Sequence, residues 1–95
     1  MQDASLQLNL PVSFITEDHQ VVAYTPALDI STSGKDEAEA KERFQELVGI
    51  FFQDLIENQT IDTVLTDLGW SKVAAQWNPP VVSQQSLNVR VPAFA

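Results

Sequence analysis

Phe44, Leu47, Val48, Phe51, Phe52, Leu55 and Ile56 recur at spacings of three and four, and that period commits the middle of the chain to one long amphipathic helix. Asp36, followed three residues later by Glu39, matches a capping box, in which each side chain accepts from an orphaned backbone N–H at the helix start. The spacing predicts a helix from this cap to about Asn58. Such a helix needs a surface to pack on. A chain of 95 residues buries only about 60–65% of its unfolded surface, enough for one core. The expectation is one domain over residues 1–95, with its core within about 6–70.

The surface comes from the residues before the helix. Leu6, Leu8, Leu10, Val12 and Phe14 alternate with Gln7, Asn9, Pro11 and Ser13, the period of a strand with one buried face. Pro11 cannot donate to a ladder, which argues for an edge or bulged strand. Thr16 to Gln20 is polar and predicts a hairpin connection to a second strand over Val21 to Thr25, ended by Pro26. Leu28, Ile30 and Thr32 alternate with Asp29, Ser31 and Ser33, giving a short third strand that finishes at Gly34.

After the long helix, Thr60 is positioned to cap a short second helix carrying Ile61, Val64, Leu65 and Leu68. Gly69 suits the position past its end, and Trp70 is expected to fold back onto the core. Residues 78–86 have loop composition. Leu87, Val89 and Val91 alternate with Asn88, Arg90 and Pro92, which predicts a C-terminal strand near 86–92 within the segment 71–95. The predicted class is α+β: an antiparallel β-β-β-α unit with a short second helix and a C-terminal strand.

Five Lys and Arg against thirteen Asp and Glu leave a formal charge of −8, which repels nucleic acid phosphates and attracts basic partners. With no cysteine, disulfides, thiolate catalysis and Cys-based zinc sites are excluded. No run of about 18 apolar residues predicts a membrane span, and no basic segment precedes an apolar stretch at the N-terminus. The sequence reads as cytoplasmic.

Candidate chemistry is thin. His19, the only histidine, sits beside Glu17 and Asp18. A carboxylate neighbour would raise its basicity, but no second His or Cys completes a transition-metal shell, so it reads as a solvated turn residue. Asp36, Glu37, Glu39, Glu42 and Glu46 crowd the first half of the helix, where the helix dipole favours them by about 0.3–1 kcal/mol each. Glu39 with Arg43 and Glu37 with Lys41 are spaced to pair. No glycine-rich phosphate loop and no Ser/His/Asp set can be assembled. The reading is not an enzyme, with no catalytic, metal or cofactor-binding residue.

The helix holds the more useful anomaly. Its apolar side chains, Ile50 included, sweep an arc of roughly 240°, whereas one packed face needs little over 100°. Ile50, Phe52 and Ile56 are left on the flanks and form the candidate oligomer or partner interface. The alternative is that the second helix and the C-terminal segment cover them. Gly49 costs about 0.5–1 kcal/mol in mid-helix relative to Ala, which predicts a close neighbouring backbone. Tyr24 and Trp77 read as core aromatics.

Val22-Ala23-Tyr24-Thr25-Pro26-Ala27-Leu28, then Gly34, Asp36 and Glu39-Ala40, resemble the pattern of HicB-like antitoxin domains across about Leu10 to Trp70. The resemblance implies a partial ribonuclease-H-like or double-stranded-RNA-binding-like sheet with one helix across it and no nuclease activity. It also implies a non-catalytic antitoxin-type protein that masks a small basic toxin. The family often has Gly and Cys after the Pro-x-Leu run and a Thr or Ser cap, where this chain has Asp29-Ile30 and Asp36. The 25 residues after Trp70 hold only Lys72 and Arg90 as basic groups and contain Pro79-Pro80, so no DNA-reading helix fits there. Val64 to Trp70 looks like the ending of the standalone members that lack a DNA-binding domain.

Three functions follow as expectations. The first is a HicB-like protein binding a small basic partner. The second is a self-associating structural module, a dimer or higher homo-oligomer without a toxin partner. The third and most remote is a small-molecule or metal-binding enzyme.

Overall fold

The computed structural model describes residues 8–93. Among them the chain runs β1 (Ser13–Glu17), β2 (Gln20–Thr25), β3 (Ile30–Gly34), α1 (Glu37–Glu57), α2 (Ile61–Asp67), β4 (Ser71–Val73) and β5 (Gln76–Asn78), an α+β fold. β1, β2 and β3 form an antiparallel meander in that order.

β1 begins later than the apolar alternation suggests. Residues 8–12 are not in a strand, because a ladder needs backbone donors and Pro11 has none. Leu8, Leu10 and Val12 still pack on the core as half-buried side chains; Leu6 lies outside the described residues. The hairpin is also tighter than expected. Glu17 pairs with Gln20, leaving Asp18 and His19 as the turn, with His19 at φ 62°.

Pro26 ends β2 as predicted, and the turn after it closes with the Asp29 N–H donating to the Thr25 carbonyl at 2.9 Å. Asp29 takes φ 55°, a left-handed conformation that Asp tolerates better than most residues.

Gly34 is a steric requirement. A Cβ there would lie 2.5 Å from the Ala40 backbone nitrogen, so the first turn of α1 sits directly on the end of β3. Asp36 caps α1, its Oδ1 accepting from the Glu39 N–H at 2.8 Å. The reciprocal half of the box differs from expectation: Glu39 Oε1 accepts from Lys35 N–H at 2.8 Å, one residue before the cap. Glu39 therefore fastens the β3–α1 connection as well as the helix.

α1 crosses the meander and divides the core in two. Ala23, Ala40 and Phe44 form one cluster, with Phe14, Val21 and Ile30 around it. Ala27, Leu28, Leu55, Leu65 and Trp70 form the other. Both helices end in the same way. The Gln59 and Thr60 N–H groups donate to the Ile56 and Leu55 carbonyls, and the Gly69 and Trp70 N–H groups to those of Thr66 and Leu65, the paired bonds of a Schellman ending. Gly69 takes φ 91° and Gln59 φ 57°. Thr60 stands at the N-cap of α2, but its side chain makes no cap bond.

Two features depart from expectation beyond Trp70. A hairpin, β4–β5, occupies residues 71–78, with Trp77 packed on the core and the Lys72 ammonium 5.6 Å from its ring centroid. The expected strand near 86–92 is absent. That segment is without regular structure, with Leu87, Val89 and Val91 66–74% exposed. Its alternation finds no strand to pair with among the described residues.

Candidate interaction surface on the long helix and the open sheet

The three flanking residues of α1 separate into two environments. Phe52 is half-buried, its ring edge-on to Phe51 at 5.7 Å and to Trp70 at 6.2 Å. It belongs to the core. Ile50 and Ile56 remain 64% and 62% exposed, so α2 and the C-terminal segment do not cover them.

Nor do they form one patch. Six residues at 100° each place them about 120° apart around the helix, on opposite flanks of the buried stripe. Between them on the solvent side stand Glu42, Glu46, Gly49, Gln53 and Glu57, all exposed. Gly49 has no atom within 4 Å of an added Cβ, so the expected close backbone is missing and a smooth, open step lies between the two isoleucines.

The carboxylates on this face are largely uncompensated. Among the described residues the ion pairs are Arg43–Glu39 and Lys72–Asp62, each at 3.8 Å and solvent-exposed, a class worth about 0–1 kcal/mol. Glu37 and Lys41 do not pair. Arg43 also donates from Nη1 to the Ser33 carbonyl at 3.0 Å, which draws it away from the helix surface and leaves Glu42, Glu46 and Glu57 in a negative field.

The sheet face turned away from α1 is open. β-strand alternation puts Ser13, Ile15, Val22, Tyr24, Ser31 and Ser33 there, opposite the face that carries Phe14 and Ala23. Ile15 and Val22 are register partners, and Ile15 is 44% exposed. Tyr24 is thus on this outer face rather than in the core. Its phenol donates to Asp29 Oδ1 at 3.2 Å. Desolvation, then the hydrogen bond and charge of Asp29, raise its pKa above 10.0.

His19 stands exposed at the tip of the β1–β2 turn. Among the described residues no group of three His, Cys, Asp or Glu side chains is placed to hold a metal ion. Two shallow clefts flank β1. One, of about 260 Å³, is lined by Pro11, Val12, Ser13, Pro26, Val82 and Gln84; the other, of about 250 Å³, by Leu8, Leu10, Val12, Phe44, Gln45 and Val48. Among the described residues neither is lined by a titratable side chain, and both are smaller than the roughly 300–1,000 Å³ of ordinary ligand sites. No helix among the described residues is long and apolar enough to cross a membrane. No protein-family model, no curated protein and no solved structure matches this chain.

Proposed function

We propose that the protein is a non-catalytic, cytoplasmic, acidic protein that binds a small basic protein, the antitoxin-type role that the HicB-like resemblance implies. The observation that carries this reading is the outer face of α1, where Ile50 and Ile56 stand 64% and 62% exposed among the exposed carboxylates Glu42, Glu46 and Glu57. Apolar side chains supply burial, and the surrounding charge steers a cationic partner and rejects acidic ones. The β-β-β-α order supports the family reading. So does Asp29, whose left-handed φ of 55° is a conformation glycine adopts freely: the departure from the family's usual Gly changes the residue and keeps a backbone that Gly would accept.

Affinity capture from the native host, with mass spectrometry, identifies the partner; titration of the purified pair then tests the surface. The expected partner is small and basic. Its binding weakens about tenfold for each of Ile50→Ala and Ile56→Ala, as removal of buried interface side chains does, and weakens further as salt rises. Repeated recovery of the protein alone, or binding indifferent to both substitutions and to salt, overturns the reading.

A further inference from the structure

We propose that the segment Ser86–Val91 of one copy adds as a fourth strand to the outer edge of β1 in a second copy, making a reciprocal, strand-exchanged dimer. This goes beyond binding of a basic partner and uses a different surface.

The donor is strand-patterned and unpaired. Leu87, Val89 and Val91 alternate with Asn88 and Arg90, so an extended chain carries one apolar and one polar face. All three apolar side chains are 66–74% exposed. Among the described residues, no backbone hydrogen bond joins residues 79–93 to another segment. The segment's root is held in place: Gln84 Nε2 donates to Ser13 Oγ at 2.8 Å, at the start of β1.

The acceptor is the better of two edges. The order β1-β2-β3 leaves an outer edge on β1 and on β3. On β3 the Ser33 carbonyl already accepts from Arg43. On β1, Glu17 and Gln20 flank the two-residue turn, and the antiparallel alternation directs the backbone groups of Phe14 and Thr16 outward. An apolar strand laid there places Leu87, Val89 and Val91 on the same side as Phe14, the helix-facing side.

Charge selects a second copy as the occupant. All thirteen acidic residues lie within residues 1–67, whereas residues 73–95 contain Arg90 and no acid. Two bodies of this protein repel each other; the tail is the one stretch that approaches an acidic body with charge complementarity. β-Augmentation then supplies main-chain hydrogen bonds, with alternate side chains setting the register.

The test uses light scattering on the full chain at about 100 µM together with crosslinking. The wild type is expected to be a dimer, and Val89→Pro, which removes a ladder donor from an exposed position, a monomer that keeps the helical far-ultraviolet signal and loses only the strand signal of the exchanged segment. Because the chain has no cysteine, Thr16→Cys and Val89→Cys prepared as separate proteins, mixed and treated with a short bismaleimide, should yield the mixed dimer in excess of either self-dimer. A monomeric wild type, a dimer that survives Val89→Pro, or a mixture without the mixed crosslink overturns the inference. Since none of these substitutions touches Ile50 or Ile56, loss of the dimer with partner binding intact separates this inference from the proposed function.

Discussion

The indole Nε1 of Trp70 donates to the carbonyl of Ala27 at 2.8 Å, with Trp70 4% and Ala27 0% exposed. The bond joins the turn after β2 to the residue that follows α2, closing the larger core cluster from both ends of the chain. Trp70→Phe keeps most of the ring and its contact with Phe52 but strips the donor, leaving a buried carbonyl unpartnered. The expected loss is about 1–3 kcal/mol, read as a lower midpoint in urea with the slope unchanged. An unaltered midpoint would mean that water replaces the indole.

What was legible in the sequence is what local chemistry fixes at a set spacing. Asp36 announced the helix start because a cap is a side chain meeting a backbone N–H three residues on. Gly69 announced the end of α2 because the left-handed conformation there favours glycine. Pairing is less legible than burial. Leu8 and Leu10 are half-buried as their alternation implies, yet Pro11 keeps them out of the ladder. Leu87, Val89 and Val91 have the period of a strand and lack a strand neighbour among the described residues. The β4–β5 hairpin carries no turn signal, since Ala74 and Ala75 stand where Asn-Gly would advertise it. For the candidate surface, the width of the apolar arc on α1 was readable, and so was the angle between Ile50 and Ile56. That Phe52 joins Trp70 was not, because it depends on the chain reversals that bring back a residue eighteen positions later.

Gly34 tests how tightly β3 and α1 are joined. An added methyl group would meet the Ala40 nitrogen at 2.5 Å and Glu39 Cβ at 2.9 Å. Backbone cannot swing aside as a side chain does, so Gly34→Ala must push the helix start away from the strand. Overpacking of this kind costs about 1–3 kcal/mol, and the Asp36 and Glu39 cap bonds are strained with it. Thermal unfolding measures the loss, and hydrogen exchange of the Glu39 and Ala40 amides should accelerate more than that of Leu55. Gly49→Ala, in open space, should instead stabilise by about 0.5–1 kcal/mol.

Tyr24 is the only tyrosine in the chain, so its titration is read without overlap from another phenol. Its pKa is raised above 10.0, by desolvation first and then by Asp29. The folded state therefore holds the phenol proton at a pH where the unfolded chain has begun to release it. The resulting stability is complete below pH 10 and is lost as pH climbs through the folded value. Ultraviolet titration should place the Tyr24 midpoint above 10, and Asp29→Asn should bring it down by removing the charge beside it. A midpoint unmoved by that substitution would assign the shift to desolvation alone.

Ala74 and Ala75 both adopt left-handed backbone, at φ 52° and 63°, between the Val73–Gln76 register pair. A two-residue turn with both φ values positive matches the right-handed twist of the strands it joins, which is why Asn-Gly is favoured there. Alanine pays for that geometry with a Cβ crowded against a carbonyl, roughly 1–2 kcal/mol per residue. Replacing the pair with Asn-Gly relieves part of this, offset by the greater freedom of glycine in the unfolded chain. The net gain should be about 1 kcal/mol. It should appear as slower amide exchange in β4 and β5 and as a more ordered Trp77 in near-ultraviolet circular dichroism, because Trp77 is the side chain through which this hairpin reaches the core.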